Sequence, residues 1–100
     1  MNYNGSEALK ELYQIIANLD SAQACEAFFN DICTIKELQD LSQRWEVAKL
    51  LNAGKNYQEI SGATGVSTAT ICRVNKCLMY GSGGYRSVLD KTKETEKKQA

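Results

Sequence analysis

Residues 61–78, SGATGVSTATICRVNKCL, decide how this chain is read. The stretch crowds two glycines, three threonines and several β-branched residues into eighteen positions, a composition of poor helix propensity. As a strand, alternation would set Val66, Thr68, Thr70, Cys72 and Val74 against Ser67, Ala69, Ile71 and Arg73, and neither face is cleanly apolar. At helical spacing, Ile71, Val74 and Leu78 fall at i, i+3 and i+7 and form an inward stripe. Thr68, Ala69, Cys72, Arg73, Asn75 and Lys76 are then left outward or on the flanks.

Immediately upstream, Ile60 faces inward on a short helix, Gly65 suits the positive φ of a tight turn, Val66 plugs the corner and Ser67 caps the next helix. Small residue, glycine, apolar plug and cap in that register predict a helix-turn-helix over about residues 57–77. A helical hairpin that only packs can show the same spacing, so a packing corner stands beside DNA reading as the alternative. The outward residues favour DNA. Thr68, Ala69 and Cys72 are small enough to approach base edges, while Ser67, Lys55, Arg73 and Lys76 suit phosphates. Plain solvation is the other account of that face.

No proline interrupts the chain. Leu9, Leu12, Tyr13, Ile16 and Leu19 keep helical spacing, and Cys25, Phe28, Phe29 and Ile32 resume it after the Asp20-Ser21 break, which predicts two amphipathic helices. A third opens at Thr34, where Thr34 and Glu37 form a T-x-x-E capping box, and its stripe of Leu38, Leu41, Trp45, Ala48 and Leu51 runs to Gly54 as a central scaffold. Gly54-Lys55 reads as a stop, and Asn56 with Glu59 restarts a short helix. The segment YGSGGY, residues 80–85, reads as a hinge before a last helix holding Tyr85, Val88 and Leu89; a phosphate-binding backbone nest is the lesser alternative, since no GK[ST] follows. Residues 1–90 are thus expected to be one helical DNA-binding domain. Residues 91–100, KTKETEKKQA, lack apolar periodicity and are expected to fray.

Composition narrows the function. A chain of 100 residues, 43% of them apolar, builds a small core that is marginal without a partner, so oligomerisation is expected. No apolar run approaches the roughly 20 residues that span a bilayer, and the N-terminus lacks a basic-then-apolar leader, so no membrane partner and a cytoplasmic location are expected. Cys25, Cys33, Cys72 and Cys77 match no metal or redox spacing and there is no histidine, so neither a metal site nor enzymatic chemistry is expected. Net charge is zero, but it is unevenly spread. Residues 1–42 carry two lysines against seven carboxylates, and residues 43–100 carry ten cations against five carboxylates, which leaves the second part able to attract phosphates.

The run LSQRWEVAKLLNAGKNYQEISGATGVSTATICRVNKCL, followed by YGSGGY, resembles the Trp repressor superfamily, and its YerC/YecD branch most. The resemblance is good from about residue 34 to 78 and holds by pattern alone in the first helices. It implies an all-α, multi-helix fold and an intertwined homodimer with a helix-turn-helix projecting from each subunit. It also implies a small-molecule co-repressor site in which Arg44 matches the scaffold arginine, Arg73 the recognition-helix arginine and Thr34 the threonine. A guanidinium suits a carboxylate and can stack on a ring. Val74 stands where the tryptophan repressor has glycine beside the indole, so tryptophan is not expected in the same pose and no cofactor is required. Arg44 as a surface charge and Arg73 as a phosphate contact stand as alternatives to ligand binding.

The leading expectation is a sequence-specific transcription regulator, a repressor, that binds double-stranded DNA at a palindromic operator as a homodimer. A helical dimeric interaction module without DNA-reading activity is the alternative.

Overall fold

The computed structural model describes the backbone of residues 5–99 and the side chains of residues 5–93. Among the described residues there are six helices: α1 Gly5–Ala17, α2 Ala22–Ile32, α3 Ile35–Asn52, α4 Tyr57–Thr64, α5 Thr68–Tyr80 and α6 Gly84–Gln99. No strand occurs among the described residues, so the all-α expectation holds. The chain divides into two compact units, the first closing at Leu38 and the second opening at Gln39.

In the first unit, the starts of α2 and α3 are each set by a side chain that satisfies an otherwise unpaired backbone N–H. Ser21, extended at φ −154° and ψ 158°, accepts from the Ala24 N–H at 2.9 Å and opens α2. Thr34 and Glu37 form the reciprocal capping box read from the sequence: the Glu37 N–H donates to Thr34 Oγ1 at 3.1 Å and the Thr34 N–H donates to Glu37 Oε1 at 2.8 Å. Neither α1 nor α2 contains a buried residue. Leu12, Ile16 and Leu19 are half-buried, whereas Leu9 and Tyr13 from the same stripe are exposed, Tyr13 by 60%. Phe28 and Phe29 meet edge to face, with ring centroids 5.8 Å apart.

The second unit has a core of its own. Val47 and Ala48 of α3, Ile60 of α4, Val66 of the turn, and Ile71 and Val74 of α5 pack together, with Leu50, Leu51, Tyr57 and Tyr85 partly buried against them. The expected stripe of the scaffold helix is met by Ala48, which is fully buried, and by Leu38, Trp45 and Leu51, which are half-buried; Leu41 in the same stripe is 43% exposed, and Val47, outside it, is fully buried. α3 ends at Asn52 rather than at Gly54. Leu89 of α6 is buried, and Arg86 Nη1 donates to Asn52 Oδ1 at 2.7 Å, which ties the start of α6 to the end of α3.

The YGSGGY segment ends α5. Gly81 is its C-cap, with the N–H donating to the Cys77 carbonyl at 2.9 Å. A Cβ on Gly81 would collide with that carbonyl, so the break requires glycine for close approach. α6 continues as backbone helix through residues 91–99. The side chains of 94–99 and all of residue 100, in the tail expected to fray, lie outside the described residues.

Candidate nucleic-acid interface

The interface is built from the core outward. Asn56 opens α4 with a second capping box: the Glu59 N–H donates to Asn56 Oδ1 at 2.8 Å and the Asn56 N–H donates to Glu59 Oε1 at 3.2 Å. Ile60 then points fully into the core. Gly65 closes α4 in the left-handed region, φ +73°, and its N–H donates to the Ser61 carbonyl at 2.8 Å. Here an L side chain would strain the backbone. Val66 plugs the corner, and Ser67 caps α5, accepting from the Thr70 N–H at 3.3 Å while donating to Thr70 Oγ1 at 3.1 Å.

One contributor was not read from the sequence. The Thr64 hydroxyl donates to the Ile60 carbonyl at 2.7 Å and accepts from the Val66 N–H at 3.2 Å, bridging the turn where both groups are partly buried. A threonine late in a helix more often bonds its own preceding turn without consequence. Only the following glycine and valine hint at a second role.

With Ile71 and Val74 buried, the opposite side of α5 is presented to solvent. Thr68, Ala69, Arg73 and Lys76 are exposed there, as is Ser67 at its head. Lys55 is exposed in the turn before α4, its N–H donating to the Leu50 carbonyl at 3.1 Å. Cys72 is half-buried on the flank, less open than the other members of the expected DNA-reading set. α5 carries two cations and no carboxylate, so its exposed side has a net attraction for phosphate.

Between α3 and α5 lies a pocket of about 330 Å³ lined by Asp40, Gln43, Arg44, Gly65, Val66, Ser67, Thr70 and Arg73. Of the ligand set suggested by resemblance, the structure brings Arg44 and Arg73 together in it. Val74 is not a wall: it is 2% exposed and belongs to the core, as its place on the inward stripe requires. Thr34 lies in the first unit and caps α3. Asp40, Gln43 and Thr70 were not singled out from the sequence. The spacing of Asp40, Gln43 and Arg44, i, i+3 and i+4, is the signal that places them on one face of α3.

A second cavity, about 540 Å³ and almost entirely apolar, is lined by Trp45, Cys77, Gly81, Ser82, Gly84, Tyr85 and Val88. All four cysteines are free thiols, and among the described residues no group of three or more potential ligands gathers to hold a metal ion. Nor is any described helix long and apolar enough to cross a membrane.

Comparison with known proteins places this geometry among relatives. The profile of the Trp repressor protein family matches residues 7–93. The Bacillus subtilis (strain 168) protein YerC is 49% identical over 88 residues, covering 88% of this chain and 85% of YerC. Among solved structures, a TrpR-like protein from Eubacterium eligens ATCC 27750 superposes with a TM-score of 0.83 at 45% identity, covering 86% of this chain and 89% of its own. A Staphylococcus aureus protein gives a TM-score of 0.83 at 42% identity over 87% of each chain.

Proposed function

This chain belongs to the Trp repressor family, and from that premise we propose that it is a sequence-specific DNA-binding transcription regulator, a repressor, acting as a homodimer on a palindromic operator. The observation that carries the reading is α5 itself. Its inward residues Ile71 and Val74 are buried, and Thr68, Ala69, Arg73 and Lys76 are left exposed on a helix with no carboxylate. Seated in this way, Thr68 and Ala69 meet base edges through a hydroxyl and methyl groups, and Ser67, Lys55, Arg73 and Lys76 hold phosphates. Cys72 contributes from the flank. The pocket between α3 and α5 takes a small ligand that modulates binding. The family is one of regulators, which agrees with the absence of an enzymatic constellation in the motifs of this chain.

The homodimer is supported by the first unit, whose helices bury no residue within their own chain. Covering Leu9, Tyr13 and Ile15 with a second copy removes apolar area from water, the dominant favourable term in association. Two copies then present two α5 helices to half-sites about one helical turn, roughly 34–36 Å, apart. The same uncovered helices favour the alternative, an interaction module that does not read DNA.

Selection of bound duplexes from a random pool, followed by fluorescence anisotropy at several salt concentrations, separates the two. The regulator enriches a palindromic sequence and loses affinity steeply with salt. A pool that stays random, with no duplex bound above background, overturns it in favour of the interaction module.

A further inference from the structure

The first turn of α5 offers only short side chains to its surroundings. Ile71 and Val74 are buried, and at roughly 100° per residue the direction opposite them passes close to Ala69 and Lys76. Thr68 and Cys72 flank that line on one side and Arg73 on the other. In a helix-turn-helix, the N-terminal residues of the second helix are the ones that meet base edges. Here Thr68 and Ala69 are exposed and Cys72 is half-buried beside them.

The long polar side chains stand elsewhere. Arg73 is a wall of the pocket against α3, and Asn75 is half-buried. Exposed Lys76 lies roughly two turns beyond Thr68, a point charge suited to phosphate. The first turn therefore lacks the planar, two-pronged groups that read guanine or adenine through paired hydrogen bonds. What it holds is the Thr68 hydroxyl and methyl, the Ala69 methyl and the Cys72 thiol. A hydroxyl both donates and accepts, so by itself it separates bases poorly. The thiol is a weak donor that packs as a small hydrophobe. Of the groups that bases present in the major groove, only the thymine 5-methyl is apolar. It is the one feature that this surface is built to tell apart.

Short side chains also let the helix approach the bases closely, which brings a methyl carbon within van der Waals reach of another. We propose that this chain reads thymine: the Thr68 and Ala69 methyls pack on thymine 5-methyl groups in each half-site, and that contact, rather than paired hydrogen bonds, sets the base preference of α5. The inference rests on the reading of α5 as the DNA-reading helix.

The test uses the full chain and the palindromic duplex enriched from a random pool. Each thymine of one half-site is replaced in turn by uracil, which removes the 5-methyl and keeps every hydrogen-bonding group. In anisotropy, at least one replacement is expected to lower affinity about fourfold, the factor that corresponds to one methyl group no longer buried. The thymine-to-uracil affinity ratio at that position is then measured for Thr68→Ser and Ala69→Gly, each of which removes one methyl. A general loss of folding or affinity in a variant cancels in the ratio. One of the two is expected to bring the ratio to about one. Thr68→Val keeps a methyl and removes the hydroxyl, and is expected to leave the ratio unchanged.

Equal binding of thymine and uracil duplexes at every position overturns the proposal. So does a ratio that survives both Thr68→Ser and Ala69→Gly, or one that is lost in Thr68→Val. If uracil is silent while Thr68→Val relaxes the sequence preference, the reading belongs to the hydroxyl and to bridging water instead. A pool that stays random removes the reading of α5 itself, whereas an enriched duplex indifferent to uracil removes only the thymine contact.

Discussion

Six side chains from α3, α4, the turn and α5 meet in a common core in the second unit, whereas α1 and α2 in the first unit bury none. Both units are built from helices with apolar stripes, so periodicity does not distinguish them. What differs is whether the stripe finds a partner within its own chain. Helices of 13 and 11 residues, as α1 and α2 are, are marginal alone in water, because most helical stability in proteins comes from packing an apolar face. Under the proposed function, the second unit would hold the reading helix rigidly and the first would associate. The two roles proposed for this protein fall on different parts of the chain.

The largest effect expected from breaking that division is in the core. Ile71 is fully buried among side chains from three other segments, and Ile71→Ala is expected to cost about 2–5 kcal/mol in a urea melt. A loss under about 1 kcal/mol would mean that α5 is not seated by the core and that the contrast between the units fails. Next comes association. Leu9 and Ile15 are 45% and 41% exposed in the chain by itself, so Leu9→Glu with Ile15→Glu costs a lone chain little. In the proposed homodimer each loses about 1.5–3 kcal/mol of burial, and sedimentation equilibrium is expected to show the dimer dissociating. Unchanged association would assign the interface to other residues.

The helix-turn-helix was legible because its constraints are local: Asn56, Glu59, Ile60, Gly65, Val66, Ser67 and Ile71 each come from a small set of residue types that suit their position, and they fall in register. The scaffold helix was legible in extent more than in orientation. α3 is apolar on two adjacent stripes, and spacing alone cannot tell whether Leu41 or Val47 faces inward; the arrival of Ile60 and Ile71 against Val47 decides it. The pocket was half legible. Arg44 and Arg73 are far apart in sequence and were paired through family resemblance, whereas Asp40 and Gln43 needed only the helical repeat from Arg44. The division into two units was not legible, since an apolar stripe carries the same signal whether its partner lies in its own chain or in another.

A smaller effect is expected at the turn. Thr64→Val keeps shape but removes the oxygen that accepts from the partly buried Val66 N–H, and an unsatisfied buried donor costs about 1–3 kcal/mol. Stability and DNA affinity should fall together, because the same N–H sets the corner from which α5 departs. If affinity holds while stability falls, the turn supports the core without positioning the reading helix.

The smallest effect compares one device in both units. Thr34 with Glu37 and Asn56 with Glu59 make the same reciprocal pair of bonds, one box opening α3 in the first unit and the other opening α4 in the second. Thr34→Ala and Asn56→Ala each remove an N-cap worth about 0.5–2 kcal/mol. If capping is purely local, the two melts shift alike. Thr34 carries a further discrimination, because family resemblance assigned it to ligand binding and the structure shows it as a cap. Thr34→Ser keeps a hydroxyl at the cap, so it should restore the stability lost in Thr34→Ala. Small-ligand affinity of the pocket between α3 and α5, measured by calorimetry, should be the same in all three proteins. A change in that affinity at position 34 would return the threonine to the ligand site, whereas a change in stability alone leaves it to the helix it opens.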